Sequence, residues 1–157
     1  MVKACKWLLI ALALCLIGWP PAAKAAGDAE AQTIRHLLMT QFDRPREPLT
    51  VAPIVVAGDI AIAGWAQGEQ GGRALLRRQS NVWKIALCAG DALKDAAILV
   101  QVGVSPDTAT RLAASLQSAE GALAPDYVAR LSRFDGIVTM NDDEAHPSDH
   151  PHDTGRP

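Results

Sequence analysis

Hydrophobic residues are spaced in three different ways along this chain, and each spacing predicts a different kind of element. Residues 7–19, WLLIALALCLIGW, form an apolar run with no period. From Asp28, a candidate N-cap, Ala31, Ile34, Leu37, Leu38 and Phe42 recur three and four apart, which predicts a helix with one buried face that ends before RPREP. After Pro45 and Pro48 the period shortens to two and turn residues mark the boundaries: strands are expected at 49–57, 60–66, 72–78 and 82–88, with a Gly58-Asp59 turn and a glycine-rich loop between them. These four strands read as an antiparallel meander. Pro53 has no N–H to give, so the first strand is expected at an edge. In the fourth, Trp83, Ile85 and Leu87 alternate with Val82, Lys84 and Ala86, predicting one packed face and one wetter face.

Beyond the strands the helical period returns. Asp91 is placed to cap a helix through Leu93, Ala97, Leu99 and Val100 that stops near Gly103. Ser105-Pro106 opens another, with Leu112, Ala113 and Leu116, and Pro125 a third, with Val128 and Leu131, which Gly136 is expected to end. Residues 137–140, Ile-Val-Thr-Met, form a candidate short strand. The expected fold class is therefore α+β: an N-terminal helix, a four-stranded antiparallel meander, two or three helices on one sheet face, and a disordered C-terminal tail.

The first apolar run changes the picture of where the protein works. MVKACK before it is basic, and PPAAKAA after it is rich in small residues, the three-part pattern of a signal peptide spanning 1–25, with cleavage expected before Ala26. The run is shorter than the roughly 20 residues that span a bilayer, so no stable membrane insertion is expected after cleavage. Cys15 lies in mid-run behind the bulky Leu14, which argues against lipidation, and no twin-arginine pair precedes the run. A periplasmic protein, or a secreted one, is the expectation, with one α+β domain over 27–140. Lys3, Lys6 and Lys24 leave with the signal, so 15 bases become 12 against 17 acids and the formal charge moves from −2 to −5. Most of that excess lies in 141–157, where Asp142, Asp143, Glu144, Asp149 and Asp153 face only Arg156. Nucleic acid is excluded as a partner on this balance.

That acidic tail is also where the candidate chemistry concentrates. Three of the four histidines, His146, His150 and His152, fall in it. Neutral imidazoles two to four residues apart on such a segment can wrap one metal ion, with Asp149 or Asp153 as hard ligands and the Met140 thioether as a soft one. Without a rigid cage, selection follows intrinsic affinity, which at nitrogen sites ranks Cu(II) above Zn(II). A second candidate lies in RHLLMTQF: His36 and Met39 are three apart on the first helix, nearly opposite and flanking its buried stripe, and so outside the core. Cys88 is the third. Once Cys5 and Cys15 leave with the signal it has no partner for a disulfide within the chain, and the helix expected at Asp91 would lower its pKa. An inert buried thiol is the alternative.

An enzyme is not expected. The chain holds no C-x-x-C, no G-x-S-x-G and no H-E-x-x-H, and nothing in it pairs Cys88 with His36. GEQGGR lies between strands and reads as a hairpin loop rather than a phosphate cradle. The stretches FDRP, VVAGD, GRALLRR and LCAGDAL, within a span from about Ile34 to Met140, resemble small bacterial proteins associated with copper uptake, many of which also end in a histidine-rich tail. The resemblance implies a periplasmic accessory of copper acquisition, with a copper transporter or periplasmic copper chaperone as partner, and it brings no ligand set. His146, His150, His152, Met140, His36 and Met39 are candidates on their chemistry alone. The rival expectation is an envelope protein-protein interaction module with an ordinary solvated tail, contacting its partner through the sheet or Cys88.

Overall fold

A computed structural model describes residues 22–140 of the chain, with side chains from residue 27. The elements are α1 (Ala22–Phe42), β1 (Leu49–Ala57), β2 (Ile60–Gln67), β3 (Gln70–Gln79), β4 (Val82–Ala89), a single 3-10 turn (Asp91–Lys94), α2 (Ala96–Gln101), α3 (Pro106–Glu120), α4 (Pro125–Leu131) and β5 (Ile137–Thr139). The α+β class holds, and the meander gains a fifth strand. Strand order is β1-β2-β3-β4-β5 and every neighbouring pair is antiparallel. Pro53 sits on the edge strand, as its missing N–H requires, and the β1–β2 register shifts between Val51 and Ile54 around it. Most of the expected signal peptide and all of the tail lie outside the described residues.

Helices cover both faces of the sheet, where one wetter face was expected. On one face Val55, Ile62, Leu75, Leu87 and Ala89 pack against Leu93, Leu99, Val104, Ala109, Leu112 and Leu116 of the turn, α2, the α2–α3 connection and α3. On the other, Ile34 and Leu38 of α1 pack on Leu49, Val51, Ala61, Ala63, Ala74, Leu76, Trp83 and Cys88. The cause is in the strands themselves. IAIAGWA in β2 and ALL in β3 are apolar at odd and even positions alike, so neither face tolerates water. Full burial of Ile34 and Leu38 contributes about 2 kcal/mol each. Phe42, expected on the same stripe, is 39% exposed because α1 ends there and leaves the sheet.

Four local expectations are corrected. Leu87 does not share a face with Trp83 and Ile85: Leu75 pairs with Leu87 but Leu76 pairs with Ile85, so one extra residue in β4 inverts the alternation. Asp91 does not cap a helix. It opens the 3-10 turn, and Asp95 caps α2, its Oδ1 accepting from the Ala97 N–H at 2.7 Å. The third helix ends at Leu131, well before Gly136, whose positive φ instead turns the chain into β5. The Arg130–Phe134 segment runs directly over the glycines that precede Arg73. A Cβ on Gly71 would stand 2.7 Å from the Arg130 carbonyl oxygen, so the GG of GEQGGR belongs to a crowded strand rather than to the hairpin loop.

Candidate functional site

The described residues end at the β4–β5 corner. β5 is held by the pairs Ala89–Ile137, Cys88–Val138 and Leu87–Thr139, and the Met140 N–H then donates to the Ala86 carbonyl at 2.9 Å. The alternation of a strand puts Val138 and Met140 on the face that carries Cys88. Their exposure differs sharply: Met140 is 41% exposed and Cys88 only 7%. Burial pushes the Cys88 thiol up to about 11, opposite in direction to the lowering expected from a helix start. The reason is local: the element after Gly90 is one 3-10 turn, whose dipole is small against the desolvation of a thiolate.

His36 and Met39 are not brought to that corner. The adjacent Arg35 reaches the Val51 carbonyl of β1 at 3.4 Å, so this part of α1 lies toward the β1 edge, with β2, β3 and β4 between it and β5. Four strand spacings amount to roughly 19 Å. Met39, expected outside the core, is half-buried and packs against the Ile34–Leu38 cluster, while His36 is exposed. A flank position at the border of a helix stripe is enough for a flexible thioether to fill a gap beneath it. His146, His150 and His152 lie outside the described residues. Among the described residues, no group of three or more His, Cys, Asp and Glu is placed to hold a metal ion.

A polar constellation that periodicity did not reveal sits under α3 and α4. Arg73 is wholly buried in β3, and its Nε and one terminal nitrogen donate to the two carboxylate oxygens of Glu120, at 2.6 and 2.9 Å, in a bidentate pair. Its other nitrogen donates to Asp91 Oδ1 at 3.2 Å and to the Leu131 carbonyl at 3.1 Å. The Ser132 hydroxyl also donates to Asp91 Oδ1, and this bond, together with Lys94 and Arg73 nearby, holds that carboxyl below the usual carboxylate range. One guanidinium thus ties β3 to the ends of α3 and α4 and to the 3-10 turn. The signal for it was a lone arginine between glycine and an apolar strand core, at a position whose neighbours two residues on are buried.

Arg78, on the opposite face, donates to Glu30 of α1, to Asp59 at 2.8 Å and to the Gly58 carbonyl, and lies over the Trp83 ring at 5.1 Å. Asp43 accepts from the Leu49 N–H at 2.7 Å and fixes the turn into β1. Asp43, Asp59, Arg73, Arg77, Arg78 and Asp91, the polar residues of FDRP, VVAGD, GRALLRR and LCAGDAL with hydrogen-bonding partners, are therefore engaged in holding the fold, while among the described residues His36 and Met140 are exposed. No family model, curated protein or solved structure matches this chain. Among the described residues no helix is long and apolar enough to cross a membrane.

Proposed function

We propose that this protein is an exported copper-binding accessory of copper uptake or trafficking, which captures the ion on its C-terminal segment and hands it by ligand exchange to a transporter or chaperone. One observation carries the reading: His146, His150 and His152 lie four and two residues apart in an acidic stretch that starts directly after Met140. Imidazole nitrogens favour copper among the common divalent ions, and the exposed Met140 thioether adds a ligand soft enough for Cu(I). The packing of Met39 against the core leaves His36 as a single exposed imidazole, so the segment after Met140 is the receptor and His36 is secondary. Anchoring of the Met140 amide on Ala86 gives that receptor a defined root at the sheet edge.

The rival, an interaction module with no metal, draws on Ile137 and Val138, which expose 47% and 48% of their surface on the outermost strand. Titration of the mature protein with Cu(I), Cu(II) and Zn(II) against competing chelators, beside a chain ending at Asp143, separates the two. Tight copper binding by the full-length protein alone is the expected result. Equal binding by both forms would move the site to the body, and binding by neither would sink the copper reading in favour of the interaction module.

A further inference from the structure

The two edges of the sheet differ in what they present to another strand. At β1 the Arg35 Nε donates to the Val51 carbonyl at 3.4 Å, the Tyr127 hydroxyl donates to the Ala52 carbonyl at 2.9 Å, and Pro53 brings no N–H, so an incoming strand finds little to bond. β5, the outermost strand at the other side, has none of these guards. Residues 137–140 hold no charge and no proline, the β4–β5 register runs without a shift, and no described strand borders the outer side of β5. Ile137, Val138 and Met140 leave 47%, 48% and 41% of their surface exposed.

The backbone fixes what this edge offers. The Met140 N–H points inward to the Ala86 carbonyl, and the alternation of a strand turns Val138, opposite Cys88, the same way. Ile137 and Thr139 therefore direct their N–H and C=O groups outward, with Val138 between them. We infer that this edge pairs antiparallel with β5 of a second copy, about a two-fold axis through Val138. In that register Ile137 and the second copy's Thr139 exchange backbone hydrogen bonds in both directions, as do Thr139 and the second copy's Ile137. Val138 meets its own copy on the axis, in the closer kind of cross-strand pair, with Cβ atoms about 4.5–5.5 Å apart. Self-complementarity selects this occupant: outward groups two residues apart around an apolar centre match themselves under a two-fold, and with no charge in 137–140 a copied strand sets no like charges together. The strip is short beside the roughly 800 Å² per partner of a stable interface, so the pairing is reversible and grows with concentration. It joins the two sheets into one, with α1 of both copies on the same face.

The test is amide hydrogen exchange by NMR on the mature protein in about 0.5 M sodium chloride, which screens the acids of 141–157 between copies. Metal is left out, so the copper reading plays no part in the result. Between about 20 µM and about 1 mM protein, the outward amides of Ile137 and Thr139 are expected to slow about threefold or more. Val138→Lys and Val138→Asp, at a half-exposed position that leaves the core intact, should each abolish that dependence, because like charges then meet on the axis; an equimolar mixture of the two should restore it. Exchange at 137 and 139 that is the same at both concentrations, fast or slow, overturns the inference without recourse to any variant. So does association that survives Val138→Lys, or a mixture of the two variants that stays monomeric.

Discussion

Substituting Glu120→Ala removes both bidentate acceptors from Arg73 while leaving the guanidinium wholly buried. Breaking a buried pair from one side costs about 3–5 kcal/mol, because the surviving charge keeps its desolvation penalty and loses its compensation. The lower end applies here, since Asp91 at 3.2 Å and the Leu131 carbonyl at 3.1 Å still accept from Arg73. About 3 kcal/mol is a large part of the ~5–15 kcal/mol of a typical domain. With a urea slope near 2 kcal/mol/M, it lowers the unfolding midpoint by roughly 1.5 M. The assay is urea unfolding of the mature protein followed by far-UV circular dichroism. The matched change Arg73→Met with Glu120→Leu should recover most of the loss, as apolar replacement of a whole buried pair usually does. Glu69→Ala, which breaks the exposed pair with Arg133 at the β2–β3 turn, should leave the midpoint where it is. A Glu120→Ala midpoint within error of the wild type, or a double variant worse than the single one, would refute the assignment of Arg73 as the tie between layers.

The same geometry sets two further outcomes. The Cys88 thiol ionises near 11 when folded and near 9 when unfolded, so above pH 9 the unfolded chain releases a proton that the folded one keeps. Its contribution is complete below pH 9 and is lost as pH rises toward 11, by about 2–3 kcal/mol in all. Urea midpoints from pH 8 to 11 should fall accordingly and flatten in Cys88→Ala; a flat wild-type profile would contradict the burial argument. Gly71→Ala places a Cβ against the Arg130 carbonyl and should destabilise by about 1–3 kcal/mol in the same unfolding assay, a neutral result showing that α4 sits looser on β3 than its distances imply.

Much of the fold was open to reading because its signals are local. Leu49–Ala57 has the expected strand boundaries, because Pro48 before it and Gly58-Asp59 after it end pairing whatever else the chain does. Pro106 and Pro125 start their helices for an equally local reason, a fixed φ and a missing donor at the one place where neither is needed. The expectations of an exported protein and of a metal-gathering segment are of another kind: they rest on composition and spacing alone, and the fold does not bear on them.

Other features were decided only when distant segments met. The extra residue in β4 depends on how β3 lies beside it, and it alone sends Leu87 to the α3 face and leaves Trp83 beneath α1. Arg73 could be read as an exposed base until α3 delivered Glu120 from 47 residues away. Cys88 changed most. A helix start nearby in sequence suggested an activated thiol, but the tertiary packing of α1 and β5 around it removed the water a thiolate needs. Periodicity records which residues want to leave water, while a buried charge or thiol takes its character from the partner that arrives, and that partner is chosen by the fold.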